Sequence, residues 1–198
     1  MKISIPIVTV FSVCWVIPLL AQSPSTSPLP APVPDLKSHP EWPKANQADV
    51  ATIESTVRAF YDAISTPAGG RLNRDRLRSL FVPAGRIVVV RPPNSGRAAD
   101  LIFLSPEGYA AISDAQTVSE GFFDRNLANH IERFGVMAHV YSTYESRIDR
   151  ESTKPVARGI KSFELLNSDN RWYIVQVYFD SERLDNPIPD HYLHDKAE

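Results

Sequence analysis

The chain has 198 residues, a formal net charge of −2 and one cysteine, Cys14. That length holds a single domain with appendages. The near-balanced charge offers no concentrated positive surface of the kind nucleic-acid binding needs, and one cysteine close to the N-terminus leaves no thiolate cluster for a metal.

Met1-Lys2 precedes an apolar run from Ile3 to Leu20, followed by Ala21-Gln22-Ser23. A basic start, an apolar stretch and a small residue before a polar one form the pattern of a secretory signal peptide. Residues 1–21 are therefore expected to be removed by cleavage near Ala21, with export to the periplasm or the exterior. The run is nearly long enough to span a bilayer, but Pro6 and Pro18 interrupt it, so cleavage without a lasting membrane anchor is the preferred reading. Cys14 would leave with the leader. Residues 22–46 are rich in proline and serine, which denies the backbone the donors a sheet requires and predicts a disordered linker.

The folded domain is expected over residues 47–183. Val50, Ile53, Val57, Phe60 and Ile64 recur at helical spacing, with Asn46 or Asp49 as the cap and Pro67-Ala68-Gly69-Gly70 as the stop. Asn73 opens a second short helix whose buried face is Leu77, Leu80 and Phe81, and Pro83-Ala84-Gly85 ends it. Arg86 to Val90 and Leu101 to Leu104 read as short strands. Ser105-Pro106-Glu107 combines a hydroxyl cap, a proline whose missing N–H is harmless there, and an acid near the positive helix end. After Glu120 the period changes towards two, predicting strands at Phe122–Arg133, Val136–Ile148, Ala157–Leu166 and Trp172–Ser181. Residues 184–198 carry Pro187 and Pro189 and are expected to be an irregular tail. The pattern predicts an α+β fold: a cystatin-like cone with N-terminal helices packed in a strongly bent antiparallel sheet.

Three segments carry a family resemblance. They are Val57 to Ile64 on the first helix, Asp75 to Arg86, and Arg133 to Glu145 with Trp172-Tyr173-Ile174-Val175. Together they resemble the nuclear transport factor 2-like superfamily, which includes ketosteroid isomerases and SnoaL-like cyclases, and the likeness covers Asp49 to Glu182. The resemblance implies an exported branch, a central pocket and a homodimer through the outer sheet surface. It also implies catalytic tyrosine and aspartate groups late on the first helix, matching Tyr61 and Asp62. The fold hosts many unrelated activities, so it does not fix a substrate.

Strand alternation places Asp124, Asn126, His130 and Glu132 on one side and Phe123, Leu127 and Ile131 on the other, with His139 and Tyr141 on the outer surface. A small, mainly apolar ligand bound by Phe60, Phe81, Tyr109, Phe163 and Trp172 is the first expectation. A cofactor-independent isomerase or dehydratase using Tyr61, Asp62 and His130 is the second, and a structural or interaction module with a filled interior is the third. No cofactor is expected. Asp190-His191-Tyr192-Leu193-His194-Asp195 has metal-ligand chemistry but sits in a proline-containing tail, so no metal site is expected there. Arg71, Arg74, Arg76 and Arg78 read as a solvated face.

Overall fold

The computed structural model describes residues 39–93 and 97–197, all within the unit from Val33 to Glu198. The expected signal peptide and residues 22–38 of the expected linker lie outside the described residues. The last part of that linker packs on the domain: Trp42 Nε1 donates to the carbonyls of Arg78 at 3.1 Å and Phe81 at 3.0 Å.

The order of elements is α1 (Gln47–Val50), α2 (Ile53–Ala63), α3 (Arg74–Ser79), β1 (Phe81–Arg91), β2 (Asp100–Leu104), α4 (Pro106–Gln116), β3 (Phe123–Phe134), β4 (Met137–Arg147), β5 (Ala157–Ser168), β6 (Arg171–Ser181), a 3-10 turn (Asp190–Leu193) and β7 (Lys196–Ala197). The stripe expected as one helix is two. Thr52 accepts from the Ser55 N–H while Ser55 Oγ accepts from the Thr52 N–H, both at 3.0 Å, and this reciprocal cap restarts the helix. Asn46 caps α1, Asn73 caps α3 and Ser105 caps α4.

The four long strands form the expected antiparallel meander, in a sheet ordered β2-β1-β6-β5-β4-β3-β7. Gly135 at φ 59° makes the first tight turn, and Asp169 and Asn170 at φ 52° and 59° make the last. The whole sheet is mixed, because β1 joins β6 in parallel and β7 joins β3 in parallel. Register shifts in β1, β3 and β6 are bulges, where an extra residue bends the strand.

Helices and sheet enclose a core in which Phe60, Phe81, Phe163, Leu77, Leu80, Ile174 and Val177 are almost wholly buried. The expected solvated arginines are mostly paired. Arg76 binds Asp49 through two nitrogens at 2.9 and 3.0 Å, Arg74 reaches Asp114 at 2.7 Å and Arg78 reaches Glu107 at 2.5 Å, tying α3 to α1 and α4.

The tail departs from the expected irregular segment. Asp195 Oδ1 accepts from the Asn129 N–H at 2.7 Å, the His194 carbonyl meets His130 Nε2 at 2.9 Å, and the Tyr192 carbonyl accepts from Thr143 Oγ1 at 2.5 Å. Tyr192 also packs against the rings of His130 and Tyr141, at centroid distances of 4.9 and 5.4 Å. Proline spacing carries no trace of these long-range partners. Deleting residues 184–198 should lower unfolding stability by about 1–3 kcal/mol, the hydrogen bonds above and the β7 pairing less the entropy regained by the tail. An unchanged midpoint in urea denaturation would show that the docked tail contributes nothing.

Candidate functional site

Residues facing each other across an antiparallel ladder share a side of the sheet. Asp124 faces Ser146, Asn126 faces Tyr144 and Asn129 faces Ser142. From β5, Lys161 faces Ser142, and from β6, Phe179 faces Lys161. Tyr61 reaches this same side from the buried face of α2, its hydroxyl 2.8 Å from Ser142 Oγ. Asn126 Nδ2 donates to Ser142 Oγ at 2.8 Å, and the side-chain amides of Asn126 and Asn129 bond reciprocally at 2.9 and 3.0 Å. One part of the interior is therefore polar while the rest is packed with aromatic and aliphatic side chains.

The centre of the polar part is an ion pair. Lys161 Nζ lies 3.1 Å from Asp124 Oδ2, with side-chain exposures of 4% and 0%. Ser146 Oγ donates to the other Asp124 oxygen. The ammonium is walled by rings, 3.6 Å from the centroid of Tyr144, 4.3 Å from Phe179 and 5.7 Å from Tyr61. Such contacts stabilise a cation electrostatically. Desolvation nevertheless pushes the Lys161 pKa below its ordinary value, against the attraction of Asp124. Desolvation acts oppositely on the phenols: Tyr61 is held well above the usual tyrosine value, Tyr109 is also raised, and Tyr144 is pushed up to about 12. At neutral pH these tyrosines serve as hydrogen-bonding groups rather than bases.

A cleft of about 320 Å³ opens between α2 and β3 beside this cluster. Glu54, Arg58 and Asp62 line it from the helix, Arg125, Asn126 and Asn129 from the strand, and the buried Tyr61 and Asp124 also reach it. A second cleft of about 140 Å³ shares Asp62, Asp124 and Arg125 and adds Arg147 and Arg150. A third, of about 200 Å³, is lined by Tyr109, Phe122, Ile148 and Val156 and also touches Arg147.

Of the expected catalytic residues, Tyr61 and Asp62 share the first cleft, with Asp62 half exposed and 3.7 Å from Arg76 Nη2. His130 is not with them. The bulge between Asn126 and Ala128 reverses the alternation, so Asp124, Asn126 and Asn129 point inward while His130 faces Tyr141 on the outer side, beneath the tail. His139 is outer, as expected, and bonds Ser162 Oγ at 2.8 Å. Of the expected ligand-binding aromatics, Phe60, Phe81, Phe163 and Trp172 lie in the packed core, with Phe60 edge-on to Phe163 at 5.2 Å and to Phe81 at 6.1 Å. Only Tyr109 among the five borders one of the three clefts above. Sequence reasoning passed over Lys161 and Ser142. A signal for Lys161 was present, because it shares strand parity with Gly159, Phe163 and Leu165, placing a charge on the buried side of a central strand. Among the described residues, no three His, Cys, Asp or Glu side chains converge as a metal site needs.

The element order is that of an α+β fold, short N-terminal helices followed by a long antiparallel meander in a seven-stranded mixed sheet. No family model matches the chain, and no curated protein matches it. Among solved structures it is similar to a nuclear transport factor 2-like protein of unknown function from Silicibacter pomeroyi, at 16% identity over 67% of this chain and 94% of that one, with a TM-score of 0.44. A second such protein of unknown function, from Methylobacillus flagellatus, is 16% identical over 66% of this chain and 90% of its own, with a TM-score of 0.45. A protein of unknown function with a cystatin-like fold from Nostoc punctiforme is 11% identical over 67% and 95%, with a TM-score of 0.47. These likenesses concern the fold alone.

The buried pair makes a quantitative prediction. Lys161→Met strands a buried carboxylate and Asp124→Leu strands a buried ammonium, and each should cost about 3–5 kcal/mol, whereas the double variant should recover most of that loss. Additive losses in a denaturation cycle would remove the coupling. The unfolded chain binds the Lys161 proton more tightly than the folded one, so this residue's contribution to stability should rise with pH from its lowered folded value towards its ordinary 10.5. That slope should vanish in Lys161→Met when the two profiles are compared.

Proposed function

We propose that the chain is an exported binding domain that takes a small polar molecule in the cleft between α2 and β3. The inward polar face carries this reading. Burying hydroxyls, amides and a charge pair costs free energy that an apolar interior would avoid, and here these groups cluster beside one opening. Tyr61, Asn126 and Asn129 supply hydrogen-bonding groups, and Arg58, Asp62 and Glu54 supply charges of both signs. A hydroxylated ligand satisfies such a lining better than the apolar molecule expected from composition, because the aromatics that would have greeted the latter are engaged with one another in the core. Export rests on the leader-like segment ahead of Ala21.

Two measurements test the reading. A thermal-shift screen of small polyols and hydroxy acids against steroids and fatty acids should yield polar hits, and Arg58→Ala should weaken them roughly tenfold or more, the worth of a charge-assisted hydrogen bond. Hits confined to the apolar compounds would overturn the choice of ligand. Intact mass of the protein from an exporting host should correspond to a chain starting just after Ala21, and a retained Met1 would overturn export.

A further inference from the structure

We propose that Lys161 is a reactive amine that forms a reversible imine with the aldehyde or ketone carbon of a small hydroxylated ligand. The inference rests on the polar cleft as the ligand site and goes further by naming the carbonyl class and the bond formed.

The geometry supplies a proton acceptor and dry surroundings, and because Lys161 itself borders none of the three clefts, the Asp124 side chain must swing aside to admit the ligand to Nζ. Imine formation needs a neutral amine, a group to shuttle its protons and limited water. Lys161 is almost wholly buried, its Nζ 3.1 Å from Asp124 Oδ2. Asp124 lines both the first and second clefts, so one carboxylate separates the amine from the space available to ligand. Ser146 donates to the far oxygen of that carboxylate, holding it in place. Rings of Tyr144 and Phe179 close the other sides at 3.6 and 4.3 Å and exclude water that would hydrolyse the product. Desolvation of the ammonium, already noted, favours the neutral nucleophile.

The step balances without a redox partner. Asp124 accepts a proton from the ammonium, the freed nitrogen lone pair attacks the carbonyl carbon, and the carbonyl oxygen takes up the proton that the attacking nitrogen then gives off. The carbinolamine then loses its hydroxyl as water, Asp124 returning the proton that the leaving group needs. Ammonium and carbonyl compound become protonated imine and water, with Asp124 again a carboxylate, and hydrolysis reverses the sequence. The cleft's Tyr61, Asn126 and Asn129 would hold the neighbouring hydroxyls of the ligand.

Reductive trapping tests this on the unaltered protein. Glycolaldehyde with sodium cyanoborohydride at neutral pH, followed by peptide mapping, compares Lys161 with the exposed Lys44 and Lys154 in one sample. More label on Lys161 than on either exposed lysine is expected, because a lowered pKa enlarges the fraction of neutral amine. In concentrated urea that preference should disappear. Label on Lys44 and Lys154 with none on Lys161 would overturn the proposal, as would a preference that persists in urea. Polar hits in the thermal-shift screen combined with an unlabelled Lys161 would remove the imine while leaving the binding function standing.

Discussion

A charge pair in a protein interior constrains everything around it. Two desolvated ions cost several kcal/mol each unless their mutual attraction and further polar contacts offset the loss. In this domain Lys161 and Asp124 come from strands separated by β4, and the sheet must hold them at 3.1 Å while Ser146 and three aromatic rings fill the remaining directions. The neighbouring hydroxyls and amides follow from that arrangement, since any polar group beside a buried ion is better solvated there than against leucine. The interior thus divides into a hydrocarbon part built on Phe60, Phe81 and Phe163 and a hydrogen-bonded part built on the ion pair.

The division is set by strand geometry as much as by composition. The additional residue in β3 lets one strand present Asp124, Asn126, Asn129 and Ile131 to the interior, a spacing that strict alternation forbids. Without it, Asn129 would turn to the outer side and lose Asn126 as its partner. The bulge therefore links a local backbone irregularity to the chemistry of the cleft. It also releases His130 to the outer side, where it meets the C-terminal segment.

Local signals made most of the architecture legible. Capping residues such as Asn73 and Ser105, the Gly135 turn and the alternating runs after Glu120 act over a few residues, so element types and the meander could be read from the chain. The features that escaped depend on partners far away in sequence. The parallel pairing of β1 with β6, the docking of Tyr192 on His130 and Tyr141, and the bulge near Leu127 leave no periodic trace. The aromatic residues were recognised as interior, but whether interior rings line a void or fill it depends on how they interlock, which periodicity does not encode. Lys161 was the exception: its strand parity gave it away to a reader willing to put a charge inside.

The two margins of the sheet are unlike, and this limits how copies of the domain could join. Along β3 the outward backbone groups are engaged by Thr66 opposite Phe122, the Ser65 hydroxyl at Asp124, Asp195 at Asn129 and β7 at His130 and Ile131. At the opposite margin β2 pairs, among the described residues, with β1 alone and exposes Leu101 and Phe103. Strand-to-strand addition, the usual hazard of open sheets, therefore has its most open margin at β2. Two molecules joined β2 to β2 would each use the backbone groups that β2 leaves open at that margin.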